Sequence, residues 1–231
     1  MERRVREYAQ RNNCATLTAF WETLTSRTNI LQQFLDYLTI NVTYFFRDPE
    51  QFQELRQTVL PALLQSGREL FIWSAGCANG SEAYSLKMLL HELAPAARTY
   101  LLATDIDRAS LAHARRGLFS AGDIQHVPAA LRERYFTSVD SAYRIDAQLR
   151  TGIEFQLHDL LYDPYPQQAD LILCRNVYIY LAPSAQQRVF RSCYEALRVG
   201  GYLLVGNSER LNTRRFHGLI SPSPHLYQKI H

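Results

Sequence analysis

The spacing of apolar residues changes character near residue 67 of this 231-residue chain. Upstream, Leu17, Phe20, Trp21 and Leu24 recur at helical intervals, and so do Leu31, Phe34, Leu35 and Leu38. A further helix is expected to start at Asp48-Pro49-Glu50-Gln51, with Asp48 as its cap, Pro49 in its first turn and Gln51 completing a box-like pattern. Phe52, Leu55, Val59 and Leu63 would form its buried face. Residues 1–66 thus predict a small N-terminal helical domain.

Downstream, short apolar runs alternate with amphipathic stretches, the pattern of strands and helices in a parallel sheet. The expected strands are Leu70-Phe71-Ile72-Trp73, Tyr100-Leu101-Leu102-Ala103, residues 153–157, Leu171-Ile172-Leu173-Cys174 and Tyr202-Leu203-Leu204-Val205. His225 to Ile230 is expected as a closing edge strand. Helices are expected from about Ser81, from about Arg108 to a stop at Gly117, and from about Ser184 to a stop at Val199-Gly200-Gly201. Residues 67–231 therefore predict an α/β domain with a doubly wound, mainly parallel sheet. One stretch breaks the alternation. Residues 118–152 hold a short helix (129–136) and two β segments, Tyr143-Arg144-Ile145 and Gln148-Leu149-Arg150, expected as a small β-rich insertion.

Composition narrows the setting. Hydrophobic residues at 47% and charged residues at 20% are ordinary for a globular protein, and a net charge of +3 is too mild to announce nucleic-acid binding. Arg3, Arg4, Arg6 and Arg11 cluster near the N-terminus against Glu2 and Glu7, which suits a solvated helix face. Cys14, Cys77, Cys174 and Cys193 form no CxxC pair, and the seven histidines no metal-binding spacing. With no leader and no apolar run of about 18 residues, the expected setting is a reducing cytoplasm.

Ligands of open α/β sheets bind beyond the carboxyl ends of the strands. After the first strand comes Ser74-Ala75-Gly76-Cys77-Ala78-Asn79-Gly80-Ser81-Glu82, in which Gly76 and Gly80 permit a tight turn close to a ligand. It matches neither GxGxxG nor a P-loop. The second strand ends in Thr104-Asp105-Ile106-Asp107. An ionised Asp105 suits the two hydroxyls of a ribose, whereas Asp107 reads better as a helix cap. Glycine turn and acidic strand end together point to a nucleoside-containing cofactor. Asp159 and Leu160 after the third strand suit an adenine, although Asp159 reads equally well as a turn cap. Arg175, Asn176, Tyr178 and Tyr180 follow the fourth strand, where concentrated polar groups orient a substrate or cofactor.

Five segments carry a family resemblance: Asn41 to Arg47 (NVTYFFR), Trp73 to Cys77 (WSAGC), Ala103 to Asp107 (ATDID), Cys174 to Tyr180 (CRNVYIY) and Gly206 to Glu209 (GNSE). From about Leu35 onward the chain resembles the CheR-type chemotaxis receptor methyltransferases. The resemblance implies a class I, Rossmann-like methyltransferase that uses S-adenosylmethionine and releases S-adenosylhomocysteine. Its substrates would be glutamate side chains on the cytoplasmic methylation helices of chemoreceptors, without nucleic acid and without insertion into the membrane. It implies cofactor contacts at Asn41, Thr43, Arg47, Gly76, Glu82, Asp105, Asp159, Leu160, Arg175 and Asn176. Arg47 and Tyr180 would face the reaction centre. Relatives often read Thr-Gly-Glu-Glu-Pro-Tyr where this chain has Asn79-Gly80-Ser81-Glu82-Ala83-Tyr84, and asparagine at Asp159.

The rivals are a methyltransferase of the same fold acting on another protein, nucleic acid or small molecule, a non-catalytic cofactor-binding module, and a nicotinamide-dependent oxidoreductase. Neither Asn/Asp-Pro-Pro-Tyr nor a Pro-Cys nucleophile occurs at the expected strand ends. The set Arg47, Asp105, Arg175, Asn176 and Tyr180 speaks against a purely regulatory module, and the missing GxGxxG against the oxidoreductase.

Overall fold

The computed structural model describes residues 2–14, 16–26, 30, 31, 34, 43–210, 216 and 218–231. The chain divides into two compact units, Met1–Val42 and Thr43–His231. In the first, α1 (Glu2–Arg11) and α2 (Leu17–Ser26) enclose Ala9, Phe20, Leu24 and Phe34. Phe20 and Phe34 meet edge to face at 4.9 Å, while Trp21 is 66% exposed. The expected helical positions Leu35 and Leu38 lie outside the described residues.

The division at 42/43 differs from the expected boundary at 66. The reason lies in the next helix, α3, which runs as Pro49–Glu54, a π turn Leu55–Val59, and Leu60–Leu64. Its face of Phe52, Leu55, Val59 and Leu63 is buried in the same cluster as Ile72, Leu86 and Leu101, so it belongs to the sheet's own core. The π turn ends two residues before Pro61, which has no N–H to return to the Gln57 carbonyl.

The chain then alternates: β1 (Leu70–Ala75), α4 (Ser81–Leu93), β2 (Thr99–Asp105) and α5 (Arg108–Arg116). Next come β3 (Leu118–Phe119), α6 (Ala121–Ile124), α7 (Ala129–Tyr135), β4 (Phe136–Val139), β5 (Ala142–Ile145) and α8 (Ala147–Thr151). The chain continues with β6 (Glu154–Leu157), β7 (Ala169–Cys174), α9 (Pro183–Ala196), β8 (Leu197–Val205), β9 (Leu219–Ser223) and β10 (Leu226–Lys229). The main sheet has the order β6-β2-β1-β7-β8-β10-β9. All its pairings are parallel except those of β10 with β8 and β9. Strand order reverses between β1 and β7, which opens a crevice at their carboxyl ends. Alternate residues feed two cores: Ile72 lies with α3 and α4, Trp73 with Val189, Phe190 and Cys193 of α9.

Three local expectations are corrected. The segment at 226–229 is an interior strand, and the edge is β9. Helix α9 ends at Ala196 rather than at the glycines, because Leu197 is already extended and buried opposite Ala169 of β7. The insertion is the three-stranded sheet β3-β5-β4, and residues 148–150 lie in α8, where Asp146 accepts a capping hydrogen bond from Gln148 N at 2.7 Å.

Candidate functional site

The first wall of the crevice is the turn after β1. The N–H groups of Gly76 and Cys77 both donate to the Thr104 carbonyl, at 2.8 and 2.9 Å, which ties this turn to the end of β2. Gly76 has φ +81°, and a Cβ there would lie 2.5 Å from Val177 Cγ2. The glycine is therefore required by packing of the β7 loop onto the β1 turn as well as by backbone geometry. Asp105 Oδ2 accepts from Ala78 N at 2.7 Å and Oδ1 from Asp107 N at 2.9 Å. Burial holds the Asp105 carboxyl above the usual range, partly offset by these N–H donors. A carboxylate has about four lone-pair positions, so Asp105 keeps acceptor capacity for a ligand's hydroxyl beyond its backbone donors. Asp107 caps α5 through Ala109 N at 2.8 Å, as expected.

Arg175 organises the second wall. Its Nε donates to Gln51 Oε1 at 2.6 Å and its Nη1 to Glu82 Oε2 at 3.1 Å. Its Nη2 donates to the Arg47 carbonyl and to Asp48 Oδ2, both at 2.7 Å. Glu82 lies in the first turn of α4, where a carboxylate complements the helix dipole, and its Oε1 accepts from Ser74 Oγ at 2.7 Å. Gln51 continues the chain of bonds, its Nε2 donating to the Val205 carbonyl at 2.8 Å. This arrangement corrects the capping expectation. Asp48 stands at the N-cap of α3 but makes no side-chain cap bond, because its carboxylate and Gln51 both turn to Arg175. A buried guanidinium gains more from these acceptors than a helix end gains from a cap.

The segment leading to α3 is held at several points. Phe45 N donates to the Asp123 carbonyl at 3.1 Å, and Phe46 N to Ser85 Oγ at 2.9 Å. Phe46 and Asp48 have φ of 56° and 58°, so two left-handed residues flank Arg47. Arg47 and Thr43 are half-buried, and Asn41 lies outside the described residues.

Asn176, also left-handed at φ 58°, follows Arg175, and its N–H donates to Glu209 Oε2 at 2.9 Å. Tyr180 ends a single 3-10 turn, Tyr178–Tyr180, and is 44% exposed. Asp159 Oδ1 accepts from Leu161 N at 2.8 Å, the turn-forming alternative, and Leu160 packs against the α9-side core. Burial and the nearby Asp105 and Glu82 charges push the Cys77 thiol far up, so it does not supply a thiolate here. Among the described residues no group of three His, Cys, Asp or Glu could hold a metal. Thus Arg47, Glu82, Arg175 and Asn176 are brought into one bonded neighbourhood, and Gly76 joins it through Val177. The bonds of Asp48 and Gln51 to Arg175, and the hydrogen-bonding roles of Ser74 and Glu209, were not foreseen. The motif at 206–209 was the one signal that pointed toward Glu209.

The glycine turn, the Asp105 acceptor and the paired Glu82 carboxylate fit a nucleoside that carries an amino-acid tail. A match to the family described as "CheR methyltransferase, SAM binding domain" spans residues 41–223. The chemotaxis protein methyltransferase of Listeria monocytogenes is 33% identical over 230 residues, covering 99% of this chain and 88% of that protein. Chemotaxis protein methyltransferase 1 of Pseudomonas aeruginosa is 32% identical over 205 residues, covering 84% of this chain and 74% of that protein. Among solved structures, that of DszA carbon methyltransferase superposes with a TM-score of 0.45 at 18% identity, covering 68% of this chain and 35% of that one. With a family match over most of its length and a relative similar nearly from end to end, the chain belongs to the CheR methyltransferase family and is an S-adenosylmethionine-dependent methyltransferase.

Proposed function

We propose that this enzyme forms methyl esters on glutamate side chains of the cytoplasmic methylation helices of chemoreceptors, working in the cytoplasm. The observation that carries the reading is the Arg175 network, which fixes the backbone of Arg47 and the carboxylate of Glu82 beside the crevice. When bound, S-adenosylmethionine supplies a methyl group on a positively charged sulfur. Asp105 would hold the ribose, Asp159 and Leu160 the adenine, and Glu82, Asn176, Asn41 and Thr43 the rest of the cofactor, with Gly76 shaping the turn. Arg175 contributes chiefly by positioning Arg47 and Glu82.

The acceptor chemistry suits these residues. A glutamate has a reference pKa of about 4.3, so at neutral pH it is already ionised and needs no general base. Arg47 would hold one carboxylate oxygen by a charge-assisted bond without surrendering its proton, and Tyr180 would fix the other. Acceleration then comes mainly from proximity and alignment. No described helix is long and apolar enough to cross a membrane.

The test is incubation with methyl-labelled S-adenosylmethionine and purified receptor cytoplasmic domains. Label should enter the receptor as an alkali-labile ester and disappear when the methylated glutamates are replaced by alanine. Label entering only nucleic acid or small molecules, or bound without transfer, would overturn the proposal.

A further inference from the structure

We infer that Glu209 is a positioning residue for methyl transfer, its buried carboxylate setting the loop that carries Asn176 and Tyr180. This rests on the site reading above, in which those two residues serve the reaction. Glu209 is 3% exposed. Its Oε2 accepts from Gly206 N at 2.7 Å and from Asn176 N at 2.9 Å, and its Oε1 from Ile179 N at 3.4 Å. A carboxylate taken out of water is costly unless donors surround it, and here they come from three backbone N–H groups at two strand ends.

Those three groups are the ones that fix the loop's shape. Asn176 is left-handed, and Ile179 is the middle residue of the 3-10 turn that delivers Tyr180. Gly206 must approach closely: a Cβ there would lie 2.8 Å from Asn176 Nδ2 and 2.9 Å from Glu209 Oε2. On the far side of the same turn, Gln186 Nε2 of α9 donates to the Tyr178 and Leu181 carbonyls, at 2.9 and 3.1 Å. The loop from Asn176 to Leu181 is thus gripped by Glu209 through the Asn176 and Ile179 N–H groups and by Gln186 through the Tyr178 and Leu181 carbonyls. Between the two grips, Ile179 and Tyr180 remain 50% and 44% exposed at the crevice end of the sheet. Val177, in the same loop, packs on Gly76, so the grip also reaches the β1 turn. Each hydrogen bond described for Glu209 goes to backbone, and it acts on the reactants only through the loop.

The test compares Glu209→Ala and Glu209→Gln with wild type in single-turnover transfer to a receptor domain at saturating S-adenosylmethionine. Misplacing a reactive group can cost about a hundredfold, so Glu209→Ala should lose about ten- to a hundredfold per folded molecule. Glu209→Gln can keep its oxygen on Gly206 and Asn176 while losing charge and the Ile179 bond, so it should lose only severalfold. The discriminating measurement is a double-mutant cycle with Tyr180→Phe. If Glu209 acts through this loop, replacing it should cost much less in the Tyr180→Phe background. Losses that multiply independently, or wild-type rates in both Glu209 variants, would overturn the inference and leave Glu209 a structural clamp. If Glu209→Ala does not fold, the same cycle is read with Glu209→Gln. A wild-type enzyme that does not methylate receptors, or a Tyr180→Phe variant with full activity, would instead refute the underlying site reading.

Discussion

Arg175→Ala removes the cation on which two walls of the crevice meet. The side chain is 2% exposed, and its loss leaves Asp48 and Glu82, with side chains 22% and 11% exposed, without their shared partner. It also strips donors from Gln51 Oε1 and the Arg47 carbonyl. Breaking a buried ion pair costs about 3–5 kcal/mol, and because water can reach Asp48 the lower end, about 3 kcal/mol, applies here. For a unit of this size each kcal/mol moves Tm by about 2–4 °C, so the variant should melt about 6–12 °C below wild type. Calorimetry and guanidinium titration measure this directly. Arg175→Lys keeps the charge but cannot span acceptors in several directions with one planar group, and should recover only part of the loss. Transfer measured well below the melting range should also fall, by about a hundredfold, because Arg47 loses its anchored backbone. A midpoint within about 2 °C of wild type would refute the energetic reading. A large stability loss with normal transfer per folded molecule would show that the network holds the fold and not the reactants.

Asp105→Ala should weaken S-adenosylhomocysteine binding about ten- to a hundredfold by calorimetry, since bonds to a charged acceptor are worth about 1.5–3 kcal/mol. Because burial raises the Asp105 pKa, wild-type affinity should begin to fall at a higher pH than an ordinary aspartate would give, and Asp105→Asn should abolish that component. The effect on folding has the opposite sign: stability present below the ordinary aspartate pKa is lost as pH rises through the raised one. Arg47→Ala should cost at least about a hundredfold in single-turnover transfer at saturating cofactor, with lysine a partial rescue. Near-normal transfer would reduce Arg47 to support of the pocket. At the opposite end of the sheet, buried Asp170 accepts from Arg68 and, at 2.8 Å, from Phe71 N. Asp170→Ala should cost about 2–3 kcal/mol in denaturant titration while leaving transfer per folded molecule unchanged.

Strand-ending residues were legible because their chemistry is out of place in an apolar run. Asp105 closing β2, and Arg175 with Asn176 closing β7, announce themselves by position alone. Helix starts were legible where the cap is local, as at Asp107. They failed where a distant partner competes: Asp48 has every local mark of a cap, yet its carboxylate goes to a guanidinium 127 positions away in sequence. The end of α9 failed for a similar reason. A Gly-Gly pair is a sound helix stop, but pairing of Leu197 with β7 ends the helix at Ala196, before the glycines are reached. The boundary near 42 was hidden because helical periodicity cannot tell which core a helix face will fill.

The same competition explains why the crevice is built as it is. Phe46, Asp48, Ala78 and Asn176 all have positive φ, a conformation that costs roughly 1–2 kcal/mol for most side chains and less for Asn and Asp. Each is held by a side chain from elsewhere: Phe46 N by Ser85, the Asp48 carboxylate by Arg175, Ala78 N by Asp105, and Asn176 N by Glu209. Strained backbone persists only where its surroundings over-determine it. At Asp48, Ala78 and Asn176 a single charge-assisted bond recovers about as much as one strained residue costs. Two of the four holding groups, Asp105 and Arg175, also belong to the proposed site, where Asp105 would hold the ribose and Arg175 positions Arg47 and Glu82. A ligand that bonds to these groups as they already stand adds to the site without breaking the bonds to the loops, so binding favours the held conformation and the two are energetically linked. It follows that the loops at the mouth should show greater hydrogen-exchange protection with S-adenosylhomocysteine bound, most of all at the amides of Ala78 and Asn176.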